Sequence, residues 1–218
     1  MAIDEIVSEL HENGIYKFQT PFIRTEEIKR LRPITREVLK KSKDEYLFGD
    51  AARIGRYESW NPSPIYDILS KPLIHSIAAK FYNSPPSFNE IFLTHEYKND
   101  AGMERNGFLH FDRIHTLKFF FYLSDCNRKN GAFHYVPGSY KIGTQLRTAA
   151  LARTDEYGKI QNRLEIDYPD LGITKKNAVP LEGPVGTMFI FHTDLFHYGG
   201  TVSDDSEREI MRLHFRNI

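Results

Sequence analysis

At 218 residues the chain is long enough to bury a large core and has the size of one domain rather than two. Lys plus Arg equals Asp plus Glu at 29 each, so no long-range field of one sign draws it to nucleic acid or to an anionic membrane. The one cysteine, Cys126, excludes an internal disulfide and makes a reducing, cytoplasmic setting the expectation.

Met1 to Leu10 carries Asp4, Glu5 and Glu9 instead of the basic-then-apolar order of a signal peptide. Apolar spacing at Ile3, Ile6, Val7 and Leu10 predicts a helix over 2–11, and Gly14 follows as its stop. A second helix is predicted over 25–41, with Glu26 and Glu27 in its first turn, where negative charge is favoured. Pro33 should bend or divide it, because proline removes an amide donor and crowds the preceding turn. Two shorter helices should start at Ser63-Pro64 and Lys71-Pro72. In the latter, Leu73, Ile74, Ile77, Ala78 and Phe81 form one apolar stripe suited to packing on a sheet.

From about residue 89 the pattern changes to strands: Ile91 to Tyr97, Leu117 to Leu123, Ala132 to Val136, Thr187 to Phe191 and Glu209 to Phe215. Residues 141–184 read as a long excursion with a short helix around Ile142 to Leu151, as in a lid or binding loop. No apolar run approaches the roughly 20 residues of a membrane span. The organisation predicted is a single domain over 1–218, with helical support over about 1–88 and a β core over about 89–218.

His110 and Asp112 are the first candidate metal ligands. On extended backbone, positions i and i+2 face the same side, with alpha carbons about 6.6 Å apart, so an imidazole and a carboxylate can close on one ion while Phe111 faces away. A third ligand is required from elsewhere. His197, at the end of an apolar segment where an imidazole needs a partner, is the candidate, with His115 and His192 as competitors that spacing alone does not eliminate. Two histidines and one carboxylate on one face leave the other face of an iron open, the arrangement of non-haem iron(II) oxygenases. Arg208 and Arg212 share one face of the last strand. An arginine turned inward beside a metal needs a carboxylate, which a diffusible dicarboxylate would supply as a bidentate pair; Arg212 is read as solvent-facing. Lys118, Arg53 and Arg56 are further candidates for meeting an acidic substrate or cosubstrate.

The ordered set Gly107-Phe108-Leu109-His110-Phe111-Asp112, then Asn130-Gly131-Ala132 through Val136-Pro137-Gly138-Ser139-Tyr140, then Gly186 to Gly199 with His197, and Arg208, resembles the phytanoyl-CoA dioxygenase-like branch of the iron(II)- and 2-oxoglutarate-dependent oxygenases. It spans roughly residues 90 to 215. The resemblance implies a mainly β fold with flanking helices, a double-stranded β-helix of the jelly-roll, cupin-like kind. It further implies His110, Asp112 and His197 as iron ligands and Arg208 as the residue that holds the distal carboxylate of 2-oxoglutarate. Dioxygen would be the second cosubstrate, a small organic molecule the substrate, and C–H hydroxylation with release of succinate and carbon dioxide the outcome. Related halogenases replace the ligand carboxylate by a small residue, so Asp112 points to oxidation. The chain departs from the pattern at Phe111, where relatives carry glutamine or asparagine, at Tyr140, where histidine is usual, and at Gly199, where some carry a hydroxyl residue that assists the arginine; Thr201 and Ser203 are the substitutes within reach. Two other readings compete: a cupin-like metalloenzyme that does not use 2-oxoglutarate, and a non-catalytic β-barrel binding module.

Overall fold

The computed structural model describes residues 2–42, 44–46, 49–54, 63–97, 107–112, 114–151, 169–203 and 205–217. Its helices are α1 (Ile3–Asn13), α2 (Thr25–Ser42), α3 (Pro64–Leu69), α4 (Pro72–Tyr82) and α5 (Tyr140–Leu151). Its strands are β1 (Ile15–Lys17), β2 (Asp44–Tyr46), β3 (Gly49–Ile54), β4 (Ser87–Tyr97), β5 (Leu117–Tyr122), β6 (Phe133–Tyr135), β7 (Val179–Leu181), β8 (Met188–His192), β9 (His197–Gly199) and β10 (Glu207–Arg216). The result is a mixed α/β fold with two antiparallel sheets, one in the order β1-β8-β5-β10-β4-β3-β2 and one in the order β7-β6-β9.

The large sheet is covered on both faces, which explains why β5 and β8 read as nearly continuous apolar runs instead of alternating ones. One face, with Leu93, Leu117, Phe119, Phe121, Met188, Met211 and Leu213, packs on the helices through Ile6, Leu10, Leu31, Ile74 and Ile77. The other, with Phe120, Tyr122, Phe189, Phe191 and Ile210, meets Phe133 and Leu181 of the small sheet. Three layers result, with helices outside and the two sheets facing one another. No described helix is long and apolar enough to cross a membrane.

The helix expectations hold in position, and Gly14 closes α1 in the left-handed region at φ 74°. Two features refine the sequence reading. Residues 25–42 form one helix, so Pro33 lies inside it and does not divide it. The helix is held to the sheet on both sides of the proline, because Arg32 Nε and Arg36 Nε donate to the buried Glu209 carboxylate at 2.8 and 2.6 Å, and Ile28, Leu31 and Leu39 are buried. Such anchoring offsets the cost of about 3 kcal/mol that an interior proline carries. The first third is also not purely helical, since β1, β2 and β3 join the large sheet. Of the excursion over 141–184, residues 152–168 lie outside the described residues. The described remainder gives α5 and β7, the latter an edge strand on β6.

α5 lies against the turn between β8 and β9. Thr144 Oγ1 donates to Asp194 Oδ2 at 2.9 Å, and Arg147 Nε donates to Asp194 Oδ1. Gly143 makes this approach possible, since a Cβ there would collide with the backbone carbonyl of Asp194. Gly143→Ala should therefore destabilise the protein by about 1–3 kcal/mol, the usual range for overpacking. Urea unfolding followed by circular dichroism checks this; an unchanged midpoint contradicts the packing described.

Candidate metal centre

Three backbone hydrogen bonds fix the relation between two distant segments. His110 and His197 exchange N–H···O bonds of 3.0 and 2.8 Å as an isolated antiparallel bridge, and the Asp112 N–H donates to the Thr193 carbonyl at 2.9 Å. Thr193 Oγ1 accepts from the Thr116 N–H at 2.8 Å and donates to the Ile114 carbonyl at 2.8 Å, so the chain leaving Asp112 is tied to the same turn. On the far side of His197, β9 pairs with β6 and places Tyr135 opposite it. The Val-Pro-Gly-Ser segment braces that turn as well: the Val136 N–H donates to the Phe196 carbonyl at 2.9 Å, and the Phe196 N–H donates to Ser139 Oγ at 3.0 Å.

The side chains converge from this frame. His110 Nδ1–H donates to the Phe108 carbonyl at 2.9 Å and His197 Nδ1–H to the Leu195 carbonyl at 2.7 Å, which turns both Nε2 atoms inward. Asp112 Oδ1 lies 3.5 Å from His110 Nε2 and 3.8 Å from His197 Nε2. All three ligand atoms fall within 4.8 Å of one another. Lys118 Nζ donates to the other oxygen, Asp112 Oδ2. Phe191 and Phe133 pack on His197, with ring centroids 4.8 and 5.3 Å away.

The electrostatics suit ligation. Burial opposes ionisation of Asp112, yet Lys118 and the two imidazoles outweigh it and hold the carboxyl well below its usual range. Burial, then the neighbouring His110, push the His197 imidazole down to about 3. A neutral imidazole and an ionised carboxylate are the forms a metal requires. Two nitrogens and one oxygen converging from one side suit a divalent iron.

The competing histidines lie together elsewhere. His115, His192 and Asp194 form their own group, with Asp194 held by Arg147 and Thr144 and with His115 Nε2 at 3.6 Å from its Oδ2. A cation is already supplied there by Arg147, and the group fastens α5 to the turn that carries His197. A third group, His95, Glu207 and Glu209, is likewise engaged by Arg32 and Arg36.

The three converging side chains border a cavity of about 580 Å³ between the two sheets. Its floor is built from directly opposed residues of neighbouring strands: Arg208 faces Glu96, Arg212 faces Phe92 and His214 faces Glu90 across β10 and β4, while Phe120 and Lys118 of β5 face Arg212 and His214. Arg208 is buried, and its Nη2 donates to Glu96 Oε2 while its Nη1 donates to the Gly131 carbonyl. Arg208 Nε is buried with no hydrogen-bond partner among the described residues. Gly131, at φ 83°, has no room for a Cβ beside Gly200 and the Arg208 guanidinium.

Arg212 is not solvent-facing. It lines the cavity with its guanidinium carbon 4.1 Å from the Phe92 ring centroid and 5.5 Å from that of Phe120. Alternation along β10 turns it to the same side as Arg208. The expectation that Arg208 would need a diffusible carboxylate also changes, because Glu96 already supplies one from within the chain. Glu96 was missed in the sequence; its signal is a lone carboxylate inside the strand-forming run Ile91 to Tyr97. Thr201 and Ser203 do not line the cavity, and Gly199 does. Lys118 lines it through its bond to Asp112. Arg56 and the Arg53 side chain lie outside the described residues. Cys126 is buried, its thiol pushed up to about 12 by burial, consistent with an inert group.

The family model for phytanoyl-CoA dioxygenase (PhyH) matches residues 10–210. The chain belongs to the phytanoyl-CoA dioxygenase family. It is accordingly a non-haem iron(II)- and 2-oxoglutarate-dependent enzyme. No curated protein matches its sequence significantly. Among solved structures it is similar to the non-haem alpha-ketoglutarate-dependent carbocyclase SnoK from nogalamycin biosynthesis, at 17% identity and a TM-score of 0.73, over 97% of this chain and 83% of that one. The epimerase SnoN, solved with Fe3+, alpha-ketoglutarate and nogalamycin RO, matches at 13% identity and a TM-score of 0.72, over 99% and 83%. HygX from Streptomyces hygroscopicus, solved with nickel, 2-oxoglutarate and hygromycin B, matches at 14% identity and 0.68, over 97% and 86%.

Three buried imidazoles give the folded protein a pH signature. Burial drives His192 well below its ordinary value and His197 and His214 to about 3. In the unfolded chain the same groups titrate near 6.5, so the unfolded state takes up protons first as the pH falls. Stability is therefore full above about 6.5 and declines below it, by up to about 1.4 kcal/mol per pH unit for each imidazole. Urea midpoints of the metal-free protein should fall between pH 7 and pH 5; a flat profile over that range contradicts neutral burial of these groups.

Proposed function

We propose that His110, Asp112 and His197 hold Fe(II), that Arg208 receives the distal carboxylate of 2-oxoglutarate, and that the enzyme oxidises a C–H bond of a small organic substrate, with hydroxylation as the outcome. The observation that carries this reading is the convergence of two inward Nε2 atoms and one carboxylate oxygen in the same cavity as a buried arginine whose Nε has no partner among the described residues. The two facing sheets are read as the two sides of a double-stranded β-helix, and the whole chain as one oxygenase domain.

An iron held by these residues would supply, with dioxygen and the keto acid, the oxidant, with succinate and carbon dioxide as co-products. The protein positions and protects. The carbonyls of Phe108 and Leu195 fix the imidazole tautomers, so that Nε2 is the free donor on each ring. Lys118 occupies Asp112 Oδ2 and leaves Oδ1 as the atom that would hold the metal. Phe120, Phe133 and Phe191 wall the site with apolar surface, which limits side reactions of the oxidant with water. The cavity volume suits a small molecule. Its floor of Arg212, His214 and Glu90 favours a polar, hydrogen-bonding substrate over a long acyl chain.

The carbocyclase and epimerase named above bear on the choice of outcome, since each is described as alpha-ketoglutarate-dependent without being described as a hydroxylase. Asp112 supports oxidation over halogen transfer here, and product analysis by mass spectrometry separates addition of one oxygen from ring closure or inversion.

Asp112→Ala should abolish succinate formation coupled to substrate, because the iron loses its anionic ligand. Near wild-type turnover in that variant sinks the ligand assignment. Arg208→Ala should weaken 2-oxoglutarate binding by roughly 10² or more, the order expected when a buried charge-assisted pair is lost. An unchanged affinity, measured by anaerobic titration of the iron-loaded protein, removes Arg208 from the cosubstrate site.

A further inference from the structure

We propose that Glu96 is a built-in rival of the cosubstrate for Arg208, and that it sets how strongly the site prefers a dicarboxylate over a plain 2-oxo acid. The inference rests on the assignment of Arg208 to the distal carboxylate of 2-oxoglutarate and adds to it a residue that acts against that carboxylate.

The pairing of Glu96 with Arg208 follows from strand register. The two residues are directly opposed across β4 and β10, and β4 is held on its other edge by β3, where Gly49 is the partner of Glu96. Backbone movement of Glu96 alone is thereby prevented. Both side chains are almost fully buried, at 5% exposure for Arg208 and 8% for Glu96, and both line the cavity.

A guanidinium offers a carboxylate two parallel N–H groups on its Nε and Nη2 edge. In Arg208, Nη1 is committed to the Gly131 carbonyl, Nε is buried with no partner among the described residues, and Nη2 is held by Glu96. Glu96 thus occupies one end of the only edge left for an incoming carboxylate. When that carboxylate arrives, two negative groups share one guanidinium in a site shielded from water, and their repulsion weakens the complex unless Glu96 turns away. The effect is confined to the distal end of the ligand. A 2-oxo acid with no second carboxylate, such as 2-oxobutyrate, does not meet Glu96.

Without the keto acid the same contact is favourable, because it neutralises a buried arginine that would otherwise lack a countercharge. Glu96 and the ligand carboxylate therefore serve the same need in alternation, and the free protein keeps its cavity ordered while it waits.

The test is an anaerobic titration of the iron-loaded wild type, Glu96→Gln and Glu96→Asp with 2-oxoglutarate and with 2-oxobutyrate, read by calorimetry and by the visible charge-transfer absorption. Gln keeps an amide oxygen for Nη2 and removes the charge. It should bind 2-oxoglutarate roughly tenfold tighter than wild type with 2-oxobutyrate unchanged, so that discrimination between the two acids rises by that factor. Asp withdraws the charge by one methylene and should give a smaller change in the same direction, which carries the test if the Gln variant fails to fold. Equal or weaker binding of 2-oxoglutarate by the folded variants, or an equal gain for both acids, overturns the inference. A wild type that gives no response to 2-oxoglutarate overturns the cosubstrate reading itself, and the role of Glu96 with it; a responsive wild type with unresponsive variants removes the role of Glu96 alone.

Discussion

The site depends on the short backbone ladder that ties residues 110–112 to residues 193–197. Its hydrogen bonds run from His110 to His197 in both directions and from Asp112 to Thr193. They join segments more than eighty residues apart in the chain and fix three side chains whose positions no local rule relates. Once the ladder forms, each imidazole has a backbone carbonyl within reach of its Nδ1, and the inward direction of Nε2 follows. The turn that carries His197 is in turn held from three sides: by Thr116, by Ser139 at the end of the Val-Pro-Gly-Ser loop, and by α5 through Asp194. The cluster of His115, His192 and Asp194 finds its purpose in this bracing.

A second constraint is charge compensation inside the cavity. A sheet covered on both faces has little use for ionised groups, yet the inner face of β10 carries Arg208, Arg212 and His214. Each is matched across the sheet by the residue directly opposite, a carboxylate, a phenyl ring and a second carboxylate in turn. Single buried ion pairs are weak contributors to stability, and breaking one partner is costly. The matching is therefore better understood as what allows a polar cavity to exist beside a metal centre than as what holds the fold together. The apolar layers on either side of the large sheet do the latter.

The sequence made the centre legible to unequal degrees. His110 and Asp112 stand out because their spacing puts both on one side of extended backbone, and their side chains do converge. The supporting geometry is a bridge and an irregular stretch, not a regular strand. His197 could not be separated from His192 by spacing, because the choice turns on where β8 ends and its turn begins, and that is decided by pairing with β5 and by Thr193. Arg212 shows the opposite error: strand alternation places it with Arg208, and what makes its inward position tolerable, the Phe92 and Phe120 rings on either side of it, lies on neighbouring strands. Glu96 was hidden because a partner across two strands requires the register, which lies in no single segment. β1, β2 and β3 escaped for a related reason. They are short or polar stretches that become strands only because a sheet edge is already there to receive them.

The most direct measurement of the central claim is X-ray absorption on the protein loaded anaerobically with one equivalent of Fe(II), together with its His197→Ala and His192→Ala variants. The proposed centre predicts outer-shell scattering from two imidazoles in the wild type and in the His192 variant, and from one in the His197 variant. A signal from three imidazoles, or one that falls with His192 and not with His197, would contradict the centre described.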